Sequence, residues 1–372
     1  MEAYEVIKLL QSKRNVLVMG APGTGKSRLL NEIAWIFEKG VSVTKNPSHQ
    51  PGAAIPIPAT PALNTIGNLA ILKAKNRKVF RTTLHQNSKY RDFLTGITPR
   101  LDGHDGYEIS QGILYRANEF AMQKDSASLV IIDEINRGPA IEVFGGSIVA
   151  IEADKRLSND NTPTESTQYF EILNPKDGKN TEYAFSPNLY ILAAMNQADV
   201  SVAPLDVAFM RRWMSVMLYP DYQSLYKRYG VNQNHEVSDL NPTREDIYAA
   251  AFKGLENLNR KITAGRGAEY QIGQGVFLST SPQGITKDDA LNFVLECWSM
   301  IYAHIDELLA NRKSMLIDLM KAHKGDHGEE GFKKYLENAS SFLYFNESEI
   351  KRDSSISRKE FKELKKSYEK KN

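Results

Sequence analysis

With one cysteine, Cys297, among its 372 residues, the chain has no second thiol for an internal disulfide and no Cys-based metal set. That usage suits a reducing cytoplasm, and Cys297 itself reads as a small buried apolar side chain. Long apolar runs are also lacking: no uncharged stretch approaches the roughly 20 residues that a membrane-spanning helix needs. The N-terminus carries Glu2, Glu5 and Lys8 where a secretory signal would have a basic start and an apolar run. Its spacing predicts a short amphipathic helix instead. Neither sign of charge dominates, since Lys+Arg 47 stands against Asp+Glu 45, so the whole chain has no strong pull toward nucleic acid or a membrane. The seven histidines are scattered without metal-ligand spacing, and His323 and His327 sit in a Gly-rich polar segment read as loop. No internal repeat is visible. No nuclease-like acidic cluster occupies the C-terminal third, so any cutting would need a partner.

What is present is ordinary globular composition, 41% apolar and 25% charged, in a length that predicts two domains. The run Asn15 to Met19 meets a glycine-rich turn and then a helical pattern through Leu29, Leu30, Ile33 and Ile36–Phe37. That is strand, loop, helix. Prolines repeated through 44–65 forbid a long regular element there and predict an inserted surface loop. Lys78 to Leu84, the run 129–132, the run 188–194 and Trp213 to Leu218 supply four more strands. Runs apolar on both faces suit a parallel sheet covered by helices. Residues 155–187 are polar and turn-rich, fit for a hairpin or loop on the rim.

Beyond about residue 220 only helices are expected. Thr243 with Asp246 and Thr286 with Asp289 look like capping boxes. Behind them run apolar stripes at helical spacing: Ile247, Ala251, Leu255, Leu258 and Ile262, then Leu291, Val294, Leu295, Trp298, Ile301, Ile305 and Leu308. The expected division is an α/β domain over 1–220, a smaller α-helical domain over 221–345 and a charged tail over 346–372. Within that tail, residues 351–372 hold nine basic residues against four acidic ones and read as a solvated or frayed helix. Trp35, Trp213 and Trp298 fall on expected apolar faces and are assigned to the core.

The segment Gly20-Ala21-Pro22-Gly23-Thr24-Gly25-Lys26-Ser27, with Arg28 following, fits G-x-x-x-x-G-K-[ST] between a strand and a helix. Glycines there let backbone N–H groups and the helix N-terminus point at a polyphosphate. Lys26 supplies positive charge, and Ser27 offers a hydroxyl to Mg²⁺. The run ending in Asp133-Glu134 provides the partner carboxylates. Asp133 is placed to hold the metal through its water shell, and Glu134 to polarise an attacking water. Asn196, at the end of the next buried run, can orient that water without competing for the metal, and Asp199 can orient neighbours. Arg211 and Arg212 stand too far along to serve their own phosphates readily, which suits one of them to act on a neighbouring subunit. Which one, the residues alone leave open.

Together these residues resemble AAA+ proteins, and within them the McrB-type motor subunits of restriction systems, over about 15–310. The resemblance rests on the phosphate loop, the stretch His85-Gln86 to Gly96, Ile132-Asp133-Glu134-Ile135-Asn136-Arg137-Gly138, and Phe144-Gly145 with Glu152 to Arg156. It continues through Met195-Asn196-Gln197-Ala198-Asp199, Leu205 to Trp213, and Tyr270 to Gln274. It implies an α/β P-loop NTPase sandwich with a parallel sheet, a helical lid after it, a hexameric ring, and a separate McrC-like endonuclease partner through which DNA would be met. In founding members it also implies a preference for GTP. Gln197 and Val200 depart from the family's usual Met-Asn-Thr-Ala-Asp-Arg. Only 14 residues precede the first strand, so the N-terminal DNA-recognition domain of such motors is expected to be missing. The expected function is a cytoplasmic, Mg-dependent ATP or GTP hydrolase driving a nuclease or nucleic-acid partner in defence. The alternatives are a MoxR-like protein-remodelling ATPase and a nucleotide-gated scaffold with little turnover.

Overall fold

The computed structural model describes residues 2–40, 69–100, 106–198, 205–236, 243–265, 267–278 and 286–309. The inserted loop at 44–65, Asp199, His323, His327 and the tail at 346–372 lie outside the described residues, as do the side chains of Ile305 and Leu308. Contacts divide the chain into two compact units, Met1–Tyr219 and Pro220–Asn372.

The first unit is built on a five-stranded parallel sheet in the order β2-β5-β8-β1-β9. These strands are β1 (Asn15–Gly20), β2 (Asn76–Thr83), β5 (Ser126–Asp133), β8 (Leu189–Asn196) and β9 (Met214–Leu218). Both faces of its middle are dry, because β1, β5 and β8 are buried at nearly every position rather than at alternate ones. Val16, Val18, Leu129, Ile131, Leu192 and Ala194 pack with α1 (Ala3–Lys13) and α2 (Lys26–Lys39) on one side. Leu17, Val130, Ile132, Ile191 and Ala193 pack on the other with the helices at 113–121 and 140–144. That is a three-layer α/β P-loop NTPase fold. From β1 the chain passes to the far edge, fills inward to β8, and only then adds β9 on the other side of β1. The C-terminal end of β1 is therefore where the strand order reverses, the place at which such sheets open a crevice.

Among the described residues two antiparallel strand pairs decorate the unit. β6 (Phe170–Leu173) and β7 (Asn180–Tyr183) form the one expected within 155–187. β3 (Thr95–Pro99) and β4 (Tyr107–Gln111) form another that no sequence pattern announced. The assignment of Trp35 to the core is corrected: its side chain is 46% exposed, whereas Trp213 and Trp298 are buried. On α2 the core stripe is Leu29, Leu30, Ile33, Ile36 and Phe37, and Trp35 lies two residues from Ile33, about 200° around the axis.

In its described residues the second unit is helical. Its core joins the helix 222–229 to Arg244–Gly265 and Lys287–Leu309 through Leu225, Phe252, Leu255, Phe277, Val294 and Trp298. Both expected capping boxes form. Thr243 N donates to Asp246 Oδ2 at 2.7 Å and Asp246 N to Thr243 Oγ1 at 3.2 Å. Thr286 N donates to Asp289 Oδ2 at 3.0 Å and Asp289 N to Thr286 Oγ1 at 3.2 Å. Each satisfies amides that a helix start leaves unpaired. Cys297 is fully buried, and that burial pushes its thiol up to about 12. Among the described residues no helix is long and apolar enough to cross a membrane.

Candidate nucleotide site

Gly20 ends β1 beside Leu218 of β9, and a Cβ there would lie 2.5 Å from the Leu218 carbonyl oxygen, so only glycine lets the two strands close. The loop then turns through Gly25, whose φ of 95° lies in the left-handed region and starts α2. Thr24 Oγ1 donates to Ala21 O at 2.8 Å, cross-bracing the loop. Lys26 Nζ donates to Gly20 O at 2.9 Å and Ala21 O at 2.8 Å. Its ammonium is buried, and burial pulls it down to about 8, against which Glu134 and then Asp133 act to raise it. Ser27 and Arg28 are exposed on the first turn of α2. The charge of Arg28 also acts on Glu32, one turn on, partly opposing the burial that raises the Glu32 carboxyl.

Asp133 closes β5, and Glu134 leaves the strand with φ 52°, an uncommon left-handed conformation for a residue with a Cβ. Strain of this kind gathers at functional sites. Glu134 N donates to Asp133 Oδ1 at 3.1 Å. Since β8 lies between β5 and β1, its terminal Asn196 stands level with Gly20 and beside the acidic strand end. Asn196 Nδ2 donates to Glu134 Oε1 at 2.7 Å. The remaining Glu134 oxygen, Oε2, lies 3.4 Å from Arg137 Nε. Asn136 Nδ2 donates to Asn196 O at 3.0 Å and so steadies the asparagine from behind. Asn136 and Arg137 carry no role of their own in the sequence pattern, only membership of the stretch Ile132 to Gly138. Their signal was local, because a 3-10 turn brings residue i+3 over residue i.

Two oxygen types that Mg²⁺ prefers, the Asp133 carboxylate and the Ser27 hydroxyl, belong to the strand end and the loop. Buried Asn136 Oδ1 and Glu134 Oε2 accept no hydrogen bond among the described residues, which fits a site that works with water and its protons. No group of three or more His, Cys, Asp or Glu side chains gathers as a metal set among the described residues. A hydrated Mg²⁺ shared with phosphate oxygens needs only one or two protein donors.

The two arginines part company. Arg212 Nε lies 3.0 Å from Glu152 Oε1, its side chain only 9% exposed, and its Nη1 donates to Ala208 O. Arg211 is exposed at the end of the short helix Val207–Met210, which Asp206 caps through Ala208 N and Phe209 N. Arg156 is fully buried and has no carboxylate among its described partners. Its Nη2 donates to Asn15 Oδ1 at 2.7 Å and to Ile151 O at 2.8 Å, and Nη1 donates to Leu189 O. It therefore ties the starts of β1 and β8 to the chain at Ile151, and burial lowers its pKa.

Residues 68–213 match the family described as AAA domain (dynein-related subfamily). The chain is 24% identical over 288 residues to the type IV methyl-directed restriction enzyme EcoKMcrB subunit of Escherichia coli (strain K12), covering 76% of this chain and 51% of that protein. It is 29% identical over 210 residues to the type II restriction enzyme BsuMI component YdiS of Bacillus subtilis (strain 168), covering 54% of this chain and 55% of that one. The chain thus spans about half the length of these curated relatives. Among solved structures, PCH-2 of C. elegans is similar at a TM-score of 0.35 and 14% identity, over 80% of this chain and 66% of that one.

Proposed function

We propose that this chain, which matches an AAA domain model over residues 68–213 and is similar to two restriction-enzyme components, is an AAA+ motor of the McrB type: a Mg²⁺-dependent nucleoside triphosphatase that works as a ring and drives a partner nuclease. The observation that carries the hydrolase reading is the bond between Asn196 and Glu134 at the ends of neighbouring strands, beside the Lys26 loop. In this reading the amides of residues 20–25 and the Lys26 ammonium grip the β- and γ-phosphates. Ser27 and Asp133 would hold Mg²⁺, whose charge, when bound, offsets that of the phosphate oxygens. Glu134 takes the proton of a water held by Asn196 as that water's oxygen bonds to the γ-phosphorus. The bond to the bridging oxygen breaks, and its electrons leave with the nucleoside diphosphate. Arg211 serves the neighbouring subunit's γ-phosphate, and the helical second unit acts as the lid. Base choice between ATP and GTP is not encoded by the loop, which touches atoms common to both.

The relatives are restriction-enzyme components by name, which supports a McrC-like endonuclease as partner and DNA met through it, by a ring of six copies. The deciding experiment measures hydrolysis of ATP and of GTP by the assembled chain with Mg²⁺, each with and without a McrC-like nuclease subunit and DNA. Turnover that rises with the nuclease subunit supports the reading. No affinity for either triphosphate sinks it.

A further inference from the structure

Glu134 is placed by more than its own strand. Its Oε1 takes the Asn196 amide at 2.7 Å, and its Oε2 faces Arg137 Nε at 3.4 Å. Arg137 N donates to Glu134 O at 3.0 Å, closing a 3-10 turn over residues 135–137. That turn stacks position 137 over position 134, so the guanidinium stands over the carboxylate because of local backbone geometry. The left-handed backbone at Glu134 starts the turn. Asn136, between them, anchors the same turn to β8 through Asn196 O.

We propose that Arg137 is a positioning residue for hydrolysis: Asn196 bonds Oε1 of the Glu134 carboxylate while the Arg137 guanidinium faces Oε2 as an ion pair, and together they set the direction in which that carboxylate meets the attacking water. The inference rests on the NTPase reading above. Arg137 is 53% exposed and Glu134 26%, and ion pairs so exposed add little to folding stability. Geometry at a reacting group is a different matter, because a carboxylate free to turn about its side-chain bonds spends little time in line with the water. A carboxylate fixed at one oxygen still rotates about that bond, and a cation facing the other oxygen narrows that rotation.

The test compares wild type, Arg137→Ala, Arg137→Lys, Glu134→Gln and the double variant Arg137→Ala/Glu134→Gln, all as full chain. Nucleotide affinity is read with a fluorescent ATP or GTP analogue, turnover in the steady state, and the slow variants by single turnover. Arg137→Ala should lower kcat about tenfold or more with affinity and melting temperature unchanged, and Arg137→Lys should restore part of the loss. In the Glu134→Gln background Arg137→Ala should add no further loss, since its effect passes through the carboxylate. The proposal is overturned if Arg137→Ala turns over like wild type, if it weakens binding instead of kcat, or if it slows Glu134→Gln by the factor by which it slows wild type. Inactive wild type that binds no nucleotide would defeat the NTPase reading itself. That outcome is separate from an active wild type that Arg137→Ala leaves unchanged.

Discussion

Arg212 is locked to Glu152, with Nε 3.0 Å from Oε1 and its side chain 9% exposed, while its neighbour Arg211 is exposed. Adjacent residues of one kind thus hold different stations. Because the pair is largely shielded, removing either partner leaves the other charge partly desolvated and unpaired.

Arg212→Ala should therefore act on the fold. It strands the Glu152 carboxylate and removes the donor to Ala208 O, a loss of about 1–3 kcal/mol. Denaturant unfolding of the full chain should show an earlier midpoint. Arg211→Ala should melt like wild type and lose turnover in the assembled state by about 10³. If Arg211→Ala subunits mixed with Lys26→Ala subunits, each inactive alone, regain no activity in the assembled state, Arg211 does not act across the interface.

Lys26 predicts a pH dependence. Its ammonium sits at about 8 instead of 10.5 because it is buried, with Glu134 and Asp133 opposing the fall only in part. Polyphosphate binds the charged form, so above about pH 8 binding must take up a proton and affinity drops. From pH 7 to 9 the fall should be about tenfold. On folding the sign is opposite: between about pH 8 and 10.5 the unfolded chain holds a proton that the folded chain has released, so this group's cost to stability shrinks as pH rises. Titration calorimetry in buffers of different ionisation enthalpy should show proton uptake at pH 8.5. Affinity flat across that window would remove Lys26 as the titrating contact.

Glu134→Gln should keep nucleotide binding and cut turnover to a residual rate that only single-turnover measurement reads. Asn196→Ala deprives Glu134 Oε1 of its donor and should lower kcat by ~10² with affinity within a few-fold. A rate unchanged in either variant takes that residue out of the reaction.

Arg156→Met should destabilise without touching the site. It removes the donors that reach Asn15 Oδ1, Ile151 O and Leu189 O, leaving buried acceptors under-satisfied at a cost of ~3 kcal/mol or more. Calorimetric melting several degrees lower, with nucleotide affinity intact in the folded fraction, is the expected pair of results. An unchanged melting temperature would mean that water replaces the guanidinium.

Much of the architecture could be read from local residues. Four of the five sheet strands are short apolar runs, and Gly20 to Ser27 is one contiguous motif between a strand and a helix. Thr243 with Asp246 and Thr286 with Asp289 form their boxes within three residues of each other. The hairpin of β3 and β4 was hidden because its strands are short and mostly polar, so their pairing is visible only once they meet. Trp35 was misplaced for a related reason: hydrophobicity says that a residue can be buried, whereas the turn of α2 says which side faces the sheet.

By itself the sequence determined the chemistry on offer: a phosphate-binding loop, two carboxylates after an apolar run, an asparagine after the next, two arginines in a row. These are properties of neighbours in the chain, and local sterics and hydrogen bonding suffice to fix them. Only the tertiary structure decided that β8 lies between β5 and β1 and so brings Asn196 onto Glu134. It alone spent Arg212 on Glu152 while leaving Arg211 exposed, and buried Arg156 under backbone carbonyls. Burial and pairing depend on contacts between residues far apart in the chain, and only the packed sheet brings those residues together.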